Sequence, residues 1–546
     1  MLFYNKQKRK LELYPKAFET NKRLHGKEPG FFPGKKKYLR LALTNFLILQ
    51  TLFLVLFAYI YGALYQLTDR VHYLKVVFVD YDGGIIGTAI RDAYHGLQGP
   101  SFPTLIEQTP QEYADAQALV HVICQAKYWA ALFIAPNSSS KYNDAIAGGA
   151  TAASYNRSDV LSFVWDEARY GTTADGSVAE NLLILSDAAK AALLPLYTTA
   201  VTRSNSSLNI DLTDPNAVAV IAQPWQLQSI DIKPTSQGSR LIYNTLLIVL
   251  VLIQDFFYLG TINGLHAQFN MYTRLYPHRV AIFRTLISAL YTFVGSLCTS
   301  SMIYAFRAGW AINGIQFVET WMVMWLFGHL NFLTLDVFSV WLPPPYVPMS
   351  LIAWVVLNVT SVLLPFELSN GFYRWAYLVP AHEVFATLID IWSGGCYPSL
   401  RYSLPVLFAL EISSLILSVL GVYRRSHFAV LAEEHKEKEF QERISAAVAV
   451  ERKQEQKRRE SVRKTETGME IGPESTSTDR EEEEERKELE EAEREEIGKE
   501  EAEDREVDIA RGPMQADNIC FPLFNPERSS RPSPRRTGLS KSKTTD

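Results

Sequence analysis

Charge is scarce through the middle of this chain. Its 546 residues hold 59 acidic and 54 basic side chains, but only 24 and 17 of these lie between Leu41 and Tyr423. The last stretch, Arg424 to Asp546, holds 32 acidic and 25 basic residues. So uneven a split excludes a single soluble globule. Cysteine is scarce as well, and four in this length exclude a disulfide-rich secreted domain. A formal net charge of -5 with no sustained basic face argues against a nucleic-acid binder. Neither Gly-x-Ser-x-Gly nor a Walker loop occurs, so the chain has no phosphate cradle of that kind for ATP. His382-Glu383 opens like a zinc-protease motif, but Ala386 stands where the second ligand belongs. No catalytic, metal or cofactor site is expected, and the chain reads as a non-enzyme.

Apolar length is what the sequence does have. A bilayer core needs about 20 mostly apolar residues as helix. Leu41–Leu64 carries no charge and follows 12 Lys/Arg against three Glu in residues 1–40. It reads as an uncleaved signal anchor with a cytoplasmic N-terminus. The basic leader also suits anionic headgroups, so membrane lipids are expected partners. Five more apolar segments follow near Leu241–Ile262, Val280–Phe306, Ile315–Phe338, Met349–Phe366 and Ser403–Tyr423. The expectation is a multi-pass α-helical membrane protein with six transmembrane helices, one plus five. Both termini are then cytoplasmic, with Arg274, Arg279 and Arg424-Arg425 on the inner side.

The segments in order are a basic tail (1–40), the first helix (41–64), an inserted extracellular or lumenal α+β domain (65–240), a membrane domain (241–423) and a charged tail (424–546). Within the membrane domain, 367–395 reads as a helical hairpin at the outer interface, with Trp375, Tyr377 and Trp392 at headgroup level. In the outer domain, strands are expected at Lys75–Asp80, Tyr128–Ile134, Val160–Trp165 and within Gln223–Lys233. Helices are expected at Ala89–Leu97, Gln111–Val122 (introduced by Thr109-Pro110) and Glu180–Ala200. Three glycosylation sequons, at Asn137, Asn156 and Asn205, fall between the first and second spans. Cys124 and Cys396 would lie on one side of the membrane and can pair once, although a Cys in an apolar stretch is more often a buried thiol. Asp80-Tyr81-Asp82-Gly83 opens like a haloacid-dehalogenase phosphatase, but Gly84 and the lack of a later paired Asp-Asp argue for carboxylates that cap a turn.

Ionisable groups in lipid are costly and mark candidate sites. Asp255, His329, Asn331, Asn358 and Glu411 form the candidate intramembrane path, with interhelical hydrogen bonding as the competing reading. Arg284 lies at a depth similar to Gln254 and Asp255. The Glu-dominated tail cannot build a core. It carries candidate phosphorylation sites at Ser461 and Ser533 and is the candidate docking arm for a protein partner or a second copy.

Several separated stretches carry a resemblance: VVFVDYDGG, KYWAALFIAPNSS, YNRSDVLSFVWDEAR, QPWQLQSIDIKP, and LPFELSNGFYRWAYLVPAHEVF with its later Gly394. Over about Lys36–Tyr423 the chain resembles the fungal nitrosoguanidine-resistance membrane proteins. These are similar in turn to ABC-2-type permeases and bacterial phage-infection proteins. The resemblance implies a permease-like fold and a plasma-membrane glycoprotein promoting resistance to toxic small molecules and mutagens, by export or by altered lipid distribution. The alternative is a non-transporting membrane organiser. The family has no established catalytic residues to carry over.

Overall fold

A computed structural model describes residues 31–204, 210–234, 243–307 and 311–466. The chain divides between Tyr65 and Gln66 into two compact units.

The first unit contributes one helix, α1 (Phe31–Leu64). It begins ten residues before the apolar run, so Lys35, Lys36, Lys37 and Arg40 are already helical. Beyond them the helix is mostly apolar and long enough to cross a membrane.

In the second unit, β1 (Lys75–Asp80), β2 (Thr104–Gln108), β3 (Ala130–Ile134), β4 (Leu161–Trp165) and β5 (Gln228–Asp231) form one sheet in the order β2-β1-β3-β4-β5. β1 runs parallel to β2 and β3, β4 runs antiparallel to β3, and β5 runs parallel to β4. KVVFVD is apolar at successive positions because both faces of the sheet are covered. Val76 and Phe78 pack with Ile86 and Ile90 of α2 (Ile85–Leu97), while Val77 and Val79 pack with Leu119 and Ile123 of α3 (Ala116–Cys124). The expected strand starts and ends agree to within a few residues except at β2. That strand is a five-residue edge carrying Glu107, too short and too polar to stand out. The expected helix at Gln111 starts instead at Ala116. There Asp115 takes the Ala118 amide at 2.8 Å, a stronger cap than Thr109 offered.

Beyond β3 come α4 (Ser138–Ile146) and α5 (Ala150–Ser154). A turn and a π-helical segment lead from β4 into α6 (Glu180–Ser204), and α7 (Pro215–Ala222) precedes β5. The stretch Gly171–Thr199 is long and apolar enough to cross a membrane, one of seven such among the described residues. Its Val178, Leu182, Leu185, Ala189 and Leu193 are nonetheless buried in the core that holds Phe78.

The remaining long helices are α8 (Tyr243–Gln268), α10 (Pro277–Ala305), α11 (Gly314–Trp341), α12 (Val347–Leu363) and α14 (Leu400–Glu466), with the short α9 (Met271–Arg274) after α8. α11 is central, with Met324, Phe327, Leu330 and Leu333 buried. The outer helices expose single apolar stripes: Leu246, Leu250, Ile253 and Phe257 on α8; Ile282, Leu286 and Leu290 on α10; Phe408, Ile412, Ile416 and Leu420 on α14. Spacing of three and four puts each set on one face.

The segment 367–395 is a 3₁₀ turn (Gly371–Leu378) followed by one helix, α13 (Pro380–Ser393), rather than a hairpin. Trp375 and Tyr377 are exposed as expected at an interface. All of α13 is buried, Trp392 included, whose indole donates to Thr320 Oγ1 at 3.0 Å. Tyr170 of the outer domain meets Phe385 edge to face at 5.2 Å. Cys124 and Cys396 form a disulfide, so the buried-thiol reading of Cys124 does not hold. The Tyr397 amide donates to the Cys124 carbonyl at 2.7 Å. Arg169 packs over Trp129 at 3.9 Å and over Tyr397 at 5.3 Å, and lies 3.6 Å from Glu367. The outer domain is thereby fastened to the turn that leads into α14.

Candidate functional site

Of the five polar residues singled out within the spans, His329 and Glu411 come into contact and Asp255 lies near the same level. Glu411 Oε1 on α14 lies 2.5 Å from His329 Nδ1 on α11. His329 Nε2 lies 3.3 Å from Ser288 Oγ on α10. Ser288 also donates to the Thr285 carbonyl at 2.9 Å. A carbonyl only accepts, so with that proton committed the Nε2 contact closes when Nε2 carries a hydrogen. Asp255 of α8 reaches the same level. A Cβ placed on Gly328, the neighbour of His329, would stand 3.7 Å from Asp255 Oδ1 and 3.7 Å from Thr292 Cβ. Thr292 Oγ1 donates to the Ser288 carbonyl at 2.9 Å. The contacts Ser288–His329–Glu411 therefore join three helices, with Asp255 and Thr292 beside Gly328 at the same level. Asp255 Oδ2 and Glu411 Oε2 are buried with no hydrogen-bond partner among the described residues. Bare carboxylate oxygens at such burial are costly as a structural device, which makes them the strongest candidates for a working group here.

Asn331 and Asn358 are satisfied by neighbours. Asn331 accepts from the Trp354 indole at 2.8 Å and donates to the Phe327 carbonyl at 2.7 Å. Asn358 donates to the Trp354 carbonyl at 2.8 Å and accepts from the Ala381 amide at 3.2 Å, which caps the start of α13. Both fit the interhelical hydrogen-bonding reading.

A second network escaped the sequence reading. Asp336 on α11 is fully buried and pairs with Arg284 at 2.6 Å and Arg425 at 3.0 Å. Arg284 therefore answers Asp336, not Gln254 or Asp255. Gln254 instead donates to the Tyr258 hydroxyl at 2.7 Å. The available signal was an acid near one end of an apolar run with an arginine at similar depth in the preceding one. Arg425 reads in sequence only as a positive flank.

In the outer domain Asp80 and Asp82 are committed to local bonds. Asp80 Oδ1 accepts the amides of Asp82 and Gly83 at 3.1 and 2.9 Å, and Asp80 Oδ2 accepts from Arg91 at 2.8 Å. Asp82 accepts both the amide of Ser139, at 3.0 Å, and its hydroxyl, while Ser139 Oγ accepts from the Ile86 amide at 3.2 Å. Asp82 thus serves the first turn of α4, and Ser139 the first turn of α2. Gly84 has no room for a Cβ beside the Ser139 hydroxyl. The strand-end Asp-x-Asp-Gly-Gly and the Asn-Ser-Ser of α4 are two halves of one reciprocal cap. Nearby, burial pushes the Asp231 carboxyl up to about 7. Glu167 beside it adds to that push, while backbone amides at 3.1 and 3.2 Å oppose it.

Sequon residues Asn137 and Asn156 are exposed, and Asn205 lies outside the described residues. Ser461 falls within α14, and Ser533 lies outside the described residues.

These helices and their polar interior define a multi-pass α-helical membrane protein. The family described as "Protein of unknown function (DUF3533)" matches residues 45–416, and the chain belongs to that family. It is also similar to an uncharacterized endoplasmic reticulum membrane protein, YJR015W, of Saccharomyces cerevisiae. The identity is 24% over 390 residues, covering 66% of this chain and 74% of the yeast protein.

Proposed function

We propose that this protein is a permease-like membrane protein of the ABC-2 type that protects the cell from toxic small molecules, by exporting them or by shifting membrane lipid distribution. The observation that carries this reading is the His329–Glu411 contact with Asp255 at the same level, and two unpartnered carboxylate oxygens inside the bundle. In this reading six helices cross the membrane: α1, α8, α10, α11, α12 and α14. α6 stays with the outer domain, supported by its burial against the sheet core. The Cys124–Cys396 bridge supports an outer domain on the oxidising side, lumenal or extracellular, with both termini cytoplasmic. The yeast relative's name gives the endoplasmic reticulum, whereas the resistance-protein resemblance implies the plasma membrane. Both compartments share that topology, and fluorescence of a tagged chain distinguishes them. The protein works without catalysis of its own. Any energy comes from a partner or an ion gradient.

The test is purified protein in liposomes, assayed for movement of a labelled toxic compound and of a fluorescent phospholipid. Glu411→Gln should abolish movement at unchanged protein content. If wild-type vesicles move neither probe faster than empty vesicles, the transport reading fails. A second reading, a non-transporting organiser, is favoured by one observation: α14 continues from the bundle to Glu466 and is exposed from Glu433 to Arg459. Such a helix suits docking of a protein partner or a second copy. Truncation after about Ala432 separates the two readings, because resistance survives the cut only if the bundle itself does the work.

A further inference from the structure

The Asp336 network has more donors than acceptors. The Asp336 Oδ atoms accept from Arg284 Nη2 at 2.6 Å and Nε at 3.2 Å, Arg425 Nη2 at 3.0 Å and Ser418 Oγ at 2.6 Å, while Ser339 Oγ donates to the Asp336 carbonyl at 2.8 Å. A carboxylate offers about four lone-pair sites, so this one is full. Asn263 Oδ1 takes Arg284 at 2.8 Å and Arg425 at 3.5 Å, and Tyr272 and Ser339 take Arg425 at 3.2 and 2.6 Å. Three buried polar atoms then remain without a partner among the described residues: Arg284 Nη1, Ser426 Oγ and His266 Nε2. Arg284 is part of the network, and the other two atoms sit on residues close to its members along α14 and α8. Ser426 adjoins Arg425, and His266 lies one turn from Asn263 on α8. His266 Nδ1 lies 2.8 Å from the Ile262 carbonyl and donates to it, which leaves Nε2 an acceptor in the neutral ring.

Charge falls short in the same direction. Two guanidinium groups meet one carboxylate, leaving one positive charge in excess. The loops at this end, residues 269–276 and 342–346, contain no acidic side chain, and Glu433 and Glu434, further along α14, are exposed. An uncompensated charge inside a helical bundle is unfavourable.

We propose that this network binds a phosphate group, supplied by the headgroup of a membrane lipid at the end of the bundle away from the outer domain. A phosphodiester brings one negative charge and acceptor oxygens for Arg284 Nη1 and Ser426 Oγ. A headgroup hydroxyl serves His266 Nε2. The lipid source is favoured by the residues around this end. Tyr276, Trp341, Tyr423 and Phe428 are exposed, and the Arg424 guanidinium lies 5.1 Å over Trp341 and 5.2 Å over Phe428. Exposed aromatics with flanking arginine mark headgroup level. Free inorganic phosphate offers the same oxyanion, and the test separates the two.

The full-length chain, purified in detergent, is followed by thermal unfolding with dioctanoyl phosphatidylglycerol, dioctanoylglycerol or sodium phosphate at matched concentrations. The phosphatidylglycerol should raise the midpoint and the phosphate-free diacylglycerol should not. Arg284→Lys keeps the charge facing Asp336 but removes Nη1, and should weaken the apparent affinity about tenfold. Ser426→Ala, a smaller change, should weaken it about threefold and serves if the lysine variant does not fold. The proposal is overturned if the two lipids act alike, or if both variants respond as the wild type does. Sodium phosphate acting as strongly as the phospholipid would overturn the lipid source.

Discussion

Arg284 and Asp336 are 52 residues apart in sequence and meet at 2.6 Å, both shielded from solvent. Arg425 joins them from α14, so one carboxylate holds three helices. Asp336→Ala removes the acid that these two arginines share and leaves them facing each other. Breaking a buried pair in this way costs about 3–5 kcal/mol. The variant should express poorly and elute as aggregate, whereas Arg284→Lys should remain monodisperse by size-exclusion chromatography.

Asn358 tests the division between path and scaffold. Its carbonyl oxygen caps α13 and its amide binds α12, so Asn358→Ala should lower abundance and thermal midpoint together. Removing one buried hydrogen-bonding partner costs about 1–3 kcal/mol. Glu411→Gln should leave abundance near wild type, because the amide can present either its NH2 or its oxygen to His329 Nδ1. Equal loss of abundance in both variants would place Glu411 with the scaffold.

The bridge between Cys124 and Cys396 should show on a gel. Without reductant the wild type should migrate faster than Cys396→Ser, and with reductant the two should coincide. Losing the bridge should lower stability by about 2–4 kcal/mol. No mobility difference under either condition would mean that the cysteines are not paired.

Asp231 gives a pH signature confined to the outer domain. Its folded carboxyl, pushed up to about 7 by burial, holds a proton that the unfolded chain releases near the ordinary carboxylate value. The folded state binds more protons between these two values, so this residue's contribution to stability falls as pH rises through that window. Asp231→Asn keeps an oxygen for the amides of Glu167 and Lys233. It should raise the thermal midpoint at pH 8 and change little at pH 4. A midpoint gain as large at pH 4 as at pH 8 would contradict this assignment.

Much of the architecture was legible because a bilayer and a buried sheet both write themselves as apolar runs. Long helices at Leu41–Leu64 and at the five later segments follow from apolar length, and KVVFVD follows from having both faces covered. Gly171–Thr199 shows the limit of that signal, since a helix packed against a sheet core can match the composition of a span. Within the site, the pairing of His329 with Glu411 could not be read, because it depends on the relative rotation of two helices 82 residues apart. Asp336 was missed for a related reason. A single acid near the end of an apolar run looks like a boundary until two arginines from other helices converge on it. Cys124 was ambiguous because its partner lies 272 residues away, across most of the membrane domain.

The unbroken run of α14 has a mechanical consequence. From Arg425 to Glu466 it extends roughly 60 Å at 1.5 Å per residue. Glu411 sits on its bundle portion and Cys396 lies just before its first turn, so the disulfide-linked domain and the His329–Glu411 contact both attach to this one helix. A tilt of about 5° at the bundle would carry the far end sideways by about 5 Å over that length. By lever geometry alone, a small rotation of this helix within the bundle becomes a several-fold larger displacement at its far end.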